Sequence, residues 1–512
     1  MKFAIKLDTH LRAEVDRMSV KELLQVVNCP QHSADNLDLK KGYRSVYLHY
    51  TTPEQAMRFI RNYTDDHPEK LHVCADTEFG AGNQLEGKTR FPSMYAMGIA
   101  DDEELAYAAG RIAAKELREC GYRWTLSPCV DILCNDESPM ASNRSAGHDA
   151  DTVIRICGAN MRGLHDGGVV ATLKHFPGDG ASFYDQHIST STNPMPWQQW
   201  RSSYGRVYEE LIEQGAMTVM PGHIALPCYD DVDPVMGLCP PATLSKKLMV
   251  DLLRGELGFE GLVCSDAVTM SGFSGFMNYY KACATFLLNG GDLLLFGRTD
   301  DMYMEKMTGL VESGFLPVKV LQDRAWRVLS FFKQVDTELK PIDNKVYDAA
   351  DVVEKMVRKS CRVVRDRFNL LPFPLQERTK ILMVDLSNNY LHRTDAEVFL
   401  QDLRATGLHV DTVEDPGSVK MAQLAESGVY DLIICTNTNG FSFGTNVLKL
   451  HGMPARTMMD GWTKLGTPVV FVVFQHPYFH EYFPAMADTV INTNGVADVT
   501  NRVVMDLLFY RK

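Results

Sequence analysis

Residues 169–187 read VVATLKHFPGDGASFYDQH: an apolar run that ends in a lysine and a histidine, a loop broken by proline and glycine, then Asp-Gln-His. The run VVATLKHF (169–176) is a short continuous apolar segment, the pattern of a strand buried on both faces of a parallel sheet. Pro177, Gly178 and Gly180 stop any helix and turn the chain sharply. The same design recurs in SVYLHY (45–50), LHVCADTE (71–78), RWTLSPCVDI (123–132), AMTVMPGH (216–223), GLVCSDA (261–267) and DLLLFG (292–297). Between these runs lie segments of helical periodicity, such as LAYAAGRIAAKELRECG (105–121). Strands alternating with helices predict a parallel sheet covered by helices, and seven such runs predict an N-terminal (β/α)8 TIM-like barrel.

Past Val335 a charged stretch of helical character predicts a connector over 336–365. A second series of apolar strands follows in TKILMVDL (379–386), YDLIICT (430–436), TPVVFVVF (467–474) and DTVINT (488–493). The expected fold class is therefore α/β, with the barrel over 1–335 and a smaller α/β sandwich domain over 366–512. The second domain carries neither a G-x-G-x-x-G loop nor a P-loop, so no nucleotide is expected there, and it is assigned either a partner-binding face or a homodimer surface.

Bulk properties exclude other classes. The net charge of −13 is spread along the chain without a basic stripe, so nucleic acid is not an expected partner. No apolar run is long enough to span a bilayer, so no membrane is expected. The stretch MKFAIKLDTHLRAEV lacks a signal-peptide apolar core, which predicts a cytoplasmic protein. The 12 cysteines lie mostly in apolar runs (Cys74, Cys264, Cys435), where a free thiol acts as a small core residue, and no C-x-x-C pair points to structural zinc. A metal-dependent barrel hydrolase would need an H-x-H after the first strand, and residues 45–50 offer His49 alone. Neither a metal nor a cofactor is expected.

Most of the barrel runs end in a polar residue: Asp76, Asp131, Lys174 with His175, His223 and Asp266. In a (β/α)8 barrel the active site is built from the carboxyl ends of several strands, so these side chains are expected to converge. The loop after Lys174 and His175 is long enough to swing Asp185 and His187 over the barrel mouth. Residues two apart in an extended segment point the same way, so Asp185 is placed to orient His187 and fix its tautomer. That pairing makes a general acid or base.

With KHFPGDG followed by D-x-H, GLVCSDAVTM, GKTRFPSMYAMG, SPCVDI and NRSAG (143–147), the chain resembles glycoside hydrolase family 3 over most of residues 15–335. Within the family it is similar to the NagZ-type β-N-acetylglucosaminidases, also called β-N-acetylhexosaminidases. The resemblance implies a barrel that holds the active site and a retaining mechanism. It also implies a nucleophile at Asp266 and an acid/base at His187 held by Asp185. By the same matching, Asp76, Arg144, Lys174 and His175 contact the hydroxyls of a terminal β-linked sugar, and Met220 lines its pocket. Lys174 is expected to help keep Asp266 ionised.

Two motifs depart from the branch: DTEFGAGNQ (76–84) stands where it usually shows D-x-E-G-G-R, and KHFPGDG where it usually shows KHFPGHG. The implied activity is release of a terminal β-N-acetylglucosamine by an exo-acting enzyme. A β-glucosidase of the same family and a β-N-acetylglucosaminide phosphorylase are the alternatives, and an inactive carbohydrate-binding or sensing protein is the reading from another class.

Overall fold

A computed structural model describes residues 2–33, 42–65, 70–388, 393–441, 443–444 and 447–510. The chain divides into two compact units. One comprises residues 1–90, 102–135 and 145–349; the other comprises 91–101, 136–144 and 350–512.

The first unit is a barrel of parallel strands. The first strand is Asn28–Cys29, continued past Pro30 by Gln31–His32. Its first half pairs with Leu293–Leu295 (Asn28 opposite Leu294) and its second half with Ser45–Leu48 (Gln31 opposite Tyr47). From there the ladder runs through His72–Ala75 to Tyr122–Thr125. It crosses to Thr172–Phe176 by a Trp124–Val170 bridge, with Thr125 N–H donating to Val170 O and Thr172 N–H to Ser127 O, both at 2.8 Å. Thr218–Pro221 and Leu262–Ala267 then lead back to Leu293–Leu295. The circuit closes on the first strand, which gives the expected (β/α)8 barrel.

All seven apolar runs are strands. The eighth, at 28–32, is split by a proline that cannot donate to a ladder, and it has no sustained apolar run to mark it. Val46, Val73, Leu173, Val219 and Val263 are fully buried, which is why these strands read as continuous rather than alternating.

The covering helices begin at recognisable caps: Asp102 accepts from Glu104 N and Leu105 N at the start of Glu103–Glu119, and Asp149 from Thr152 N at the start of Ala150–Asp166. These two helices approach closely because glycines face each other. A Cβ on Gly110 would lie 2.3 Å from Asn160 O, and one on Gly163 would lie 2.2 Å from Tyr107 O. At the amino-terminal face Asp292 is completely buried and ion-pairs with Arg254 (2.8 Å) and Arg327 (2.9 Å). That end of a barrel serves stability, and the opposite end is left for chemistry.

The second unit is a doubly wound α/β domain. Its sheet runs, edge to edge, Arg362–Asp366, Thr489–Asn492, Val469–Val473, Leu432–Asn437, Lys380–Asp385 and His409–Thr412, parallel except for the first. The four strands expected from apolar runs are the four inner ones. The two edge strands, Arg362–Asp366 and His409–Thr412, escape a reading by hydrophobicity because much of each faces solvent. Helix Ala349–Ser360 precedes the first of them. The core is built on Ile433, Phe471, Val473 and Trp462, whose indole N–H donates to Thr457 O at 2.6 Å.

Candidate active site

Lys174 and His175 sit near the carboxyl end of Thr172–Phe176, and their neighbours come from other strand ends. The Lys174 ammonium is buried between two carboxylates, Asp76 Oδ1 at 2.6 Å and Glu78 Oε1 at 2.8 Å. Asp76 Oδ2 also accepts from the Tyr47 hydroxyl at 3.0 Å. Asp76 remains partly exposed while Glu78 is buried. This leaves one carboxylate, braced by an ammonium and a phenol, facing the barrel mouth. Charge-assisted hydrogen bonds of this kind hold geometry firmly.

His175 Nδ1 lies 2.7 Å from Asp131 Oδ2, so this nitrogen donates. Asp131 accepts further bonds from His175 N (3.2 Å), Asp179 N (2.6 Å) and the Cys129 thiol (3.1 Å). Burial works to raise the Asp131 carboxyl, but the charge and hydrogen bond of His175 outweigh it and leave it below the usual value. On its other edge His175 presents Nε2 to Asp266, 3.9 Å from Oδ2. Asp266 lies in Leu262–Ala267 and accepts from Ala267 N at 2.7 Å. Burial pushes its carboxyl up, and His175, then His223 and His187, pull it down further, so Asp266 ends below its ordinary value. The largest opposing charge on Asp266 is therefore that of His175 rather than Lys174, which corrects the expectation from sequence. Lys174 is the residue before His175 in the chain, but its ammonium is held by Asp76 and Glu78.

His223 is fully buried. Its Nε2–H donates to Ala267 O at 3.0 Å and its Nδ1 lies 3.0 Å from the Thr243 hydroxyl, the pattern of a neutral ring. Burial lowers its basicity accordingly.

The D-x-H segment is folded back onto the Asp266 strand's own loop. Ser271 N donates to His187 O (3.0 Å), Gly272 N to Gln186 O (3.1 Å), and the Gln186 amide oxygen accepts from His223 N (2.8 Å). Gly272 is required at this crossing: a Cβ there would fall 2.5 Å from Gln186 O and 2.9 Å from the His223 Cβ. Asp185 is completely buried and lies 2.7 Å from His187 Nδ1, while the His187 side chain remains 34% exposed. Its second nitrogen, Nε2, is the one not turned to Asp185.

Of the residues singled out from sequence, Asp76 and Lys174 pair directly, as do Asp185 and His187, and His175 adjoins Asp266. Met220 is buried opposite Lys174 in the ladder between their strands. Arg144 belongs to the second unit, where its guanidinium lies over the Phe441 ring at 5.3 Å and donates to Met140 O at 3.3 Å. Glu78 was not among the expected site residues, whereas Asp131 was expected at the site from its place at a strand end but was given no role there. The alternation in Asp-Thr-Glu (76–78), which puts both carboxylates on one side of an extended chain, is the signal that could have flagged Glu78. Among the described residues, Cys129, Asp131 and His175 form the group whose potential ligand atoms lie within 4.8 Å of one another, and they already exchange hydrogen bonds.

An ionised carboxylate at a strand end, with a partly exposed imidazole near enough to act on its charge and backed by a buried carboxylate, is equipped for attack on an electrophilic carbon with proton transfer to the leaving group. Comparison with known proteins agrees with a barrel of this kind. The family model "Glycosyl hydrolase family 3 N terminal domain" matches residues 17–331. A "Beta-N-acetylglucosaminidase/beta-glucosidase" of Cellulomonas fimi is 27% identical over 465 residues, 86% of this chain and 81% of that protein. A "Beta-hexosaminidase" of Methylobacillus flagellatus is 31% identical over 248 residues, 47% of this chain and 68% of its own. A solved structure described as "Beta-glucoside phosphorylase BglX bound to 2FGlc" superposes with TM-score 0.88 at 26% identity, over 100% of this chain and 96% of that one. The family 3 β-N-acetylglucosaminidase from Paenibacillus sp. str. FPU-7 shares the fold, with TM-score 0.79 at 23% identity, over 96% of this chain and 97% of that one. With the family model spanning the whole barrel, the chain belongs to glycosyl hydrolase family 3 and is a glycoside hydrolase acting on carbohydrate.

Proposed function

We propose that this enzyme is a retaining, exo-acting β-glycosidase that releases a terminal β-N-acetylglucosamine by double displacement. Asp266 attacks the anomeric carbon as His187 gives its Nε2 proton to the leaving oxygen, forming a glycosyl-enzyme and a free aglycone alcohol. Water then attacks the same carbon, gives its proton to His187, and frees Asp266. Asp76, Lys174, His175 and Met220, all of the first unit, are the residues assigned to the sugar. The observation that carries this reading is the Asp185–His187 pair, a buried carboxylate 2.7 Å from a partly exposed imidazole on a loop bonded to residues just past Asp266. The names borne by the Cellulomonas and Methylobacillus relatives support the choice of sugar.

Phosphorolysis is the second reading, favoured by the end-to-end likeness to a β-glucoside phosphorylase. A histidine is neutral after giving up its proton, so it repels an incoming phosphate less than a carboxylate would. A panel of aryl β-glycosides assayed with and without phosphate separates these outcomes. The expected result is fastest turnover of the β-N-acetylglucosaminide, independent of phosphate. Faster cleavage of the glucoside overturns the sugar assignment, and phosphate-dependent formation of a sugar 1-phosphate establishes phosphorolysis.

A further inference from the structure

Two imidazoles, each backed by its own buried aspartate, flank Asp266: His187 with Asp185 and His175 with Asp131. The mechanism above uses the first pair and leaves the buried carboxylate of the second without a task. We infer that Asp131 is a positioning residue for the nucleophile: it fixes His175 with Nδ1–H inward, so that Nε2 is turned to Asp266 and one imidazole is shared between two buried carboxylates.

The geometry supports this by elimination. His175 Nδ1, at 2.7 Å from Asp131, must donate to it. Its Nε2 is then 3.9 Å from a carboxylate oxygen of Asp266, and a bare nitrogen lone pair in that position would be repelled, whereas N–H is attracted. The other two imidazoles that act on Asp266 cannot serve throughout the cycle. His223 is a buried neutral ring whose two nitrogens are taken by Thr243 and Ala267. His187 must lose its proton in the first step if it acts as proposed. Among the described residues, that leaves His175 as the imidazole that stays beside the nucleophile, held by Asp131, through both displacements.

The remaining titratable groups around the pair do not replace it. Cys157, Tyr204 and Tyr208 act on Asp131 from the adjoining helices, and burial pushes all three up, so they stay uncharged at neutral pH. The Cys129 thiol and the Asp179 backbone N–H donate to Asp131, and His223 and His187 face Asp266.

This inference rests on Asp266 being the nucleophile, so the test starts there. Wild-type enzyme is labelled with a 2-fluoro sugar and the modified peptide is mapped; a label on another carboxylate overturns the nucleophile assignment and this inference with it. The pH dependence of kcat/KM is then measured for full-length wild type, Asp131→Asn and His175→Gln, using an activated aryl glycoside whose departure needs no acid. Loss of a neighbouring opposite charge raises a carboxyl by about one unit or more. The acidic limb is therefore expected to move up by about one pH unit in each variant, a roughly tenfold loss at the acid end. Adding Asp131→Asn to His175→Gln should move it no further. A uniform fall in rate with the limb unmoved in both variants, while wild type still labels at Asp266, overturns the inference and leaves the nucleophile assignment standing. If Asp131→Asn does not fold, an unmoved limb in His175→Gln is sufficient to overturn it, and a moved one supports it.

Discussion

A single oxygen, Asp185 Oδ1, accepts both the ring Nδ1–H of His187 at 2.7 Å and its backbone N–H at 2.8 Å. The aspartate therefore fixes the ring and the peptide that carries it in one interaction. If His187 is the acid/base, the consequence depends on the leaving group, because an activated aryl group needs no proton in the first step. His187→Ala is expected to slow glycosylation little with such a substrate and by about 10²-fold or more with a sugar leaving group. Azide, which needs no general base, should restore the second step. Asp185→Ala should show the same pattern more weakly. Equal losses on both substrates without azide rescue would make the residue structural.

Asp266→Asn is expected to remove turnover and to prevent accumulation of a fluorinated glycosyl-enzyme, as followed by intact mass. The groups around this carboxylate outweigh its burial and leave it below its ordinary value, and an amide in its place is a far poorer nucleophile. Wild-type rates in this variant would end the assignment.

Gly272→Ala tests the junction between the catalytic loop and the Asp266 strand's loop. The added Cβ would press on Gln186 O at 2.5 Å and must displace the segment holding His187. A displacement of about 1 Å at a catalytic group costs on the order of 10²-fold in rate. Activity is expected to fall by roughly this factor, while thermal unfolding shifts by only a few degrees. Unchanged kcat would show that the loop does not depend on this contact.

Asp292→Asn addresses stability at the opposite end of the barrel. It leaves the partly buried Arg254 and Arg327 without the counter-charge of the fully buried Asp292, and breaking a buried pair this way costs about 3–5 kcal/mol, to be read from urea unfolding. Burial alone would raise the Asp292 carboxyl, but Arg327, Arg254 and Arg324 bring it down to about 2 from the ordinary 3.8. A depressed folded-state value gives stability that is complete above the unfolded value and lost as pH falls through that window toward 2. Wild type should lose stability across this range, and Asp292→Asn should lose less. Parallel acid-unfolding curves would show that the cluster contributes nothing there.

The barrel was legible because its strands are buried on both faces, which forces continuous apolar runs, and because its helices open on capping aspartates such as Asp102 and Asp149. The first strand escaped because Pro30 splits it into two short ladders. The edge strands Arg362–Asp366 and His409–Thr412 escaped because they face solvent, where nothing demands apolar residues. The pairing of Asp185 with His187 was also legible, since it is local.

By itself the sequence determined the elements, the family and the local Asp-x-His pair, because hydrophobic period, turn chemistry and short-range spacing are properties of neighbouring residues. What only the tertiary structure decided is which charges meet across strands. Lys174 and His175 are adjacent in the chain, yet one is taken by Asp76 and Glu78 while the other spans Asp131 and Asp266. Closure of the barrel brings strand ends dozens of residues apart within hydrogen-bonding reach, and in a buried site that proximity, which no local pattern encodes, sets the charge of each carboxylate.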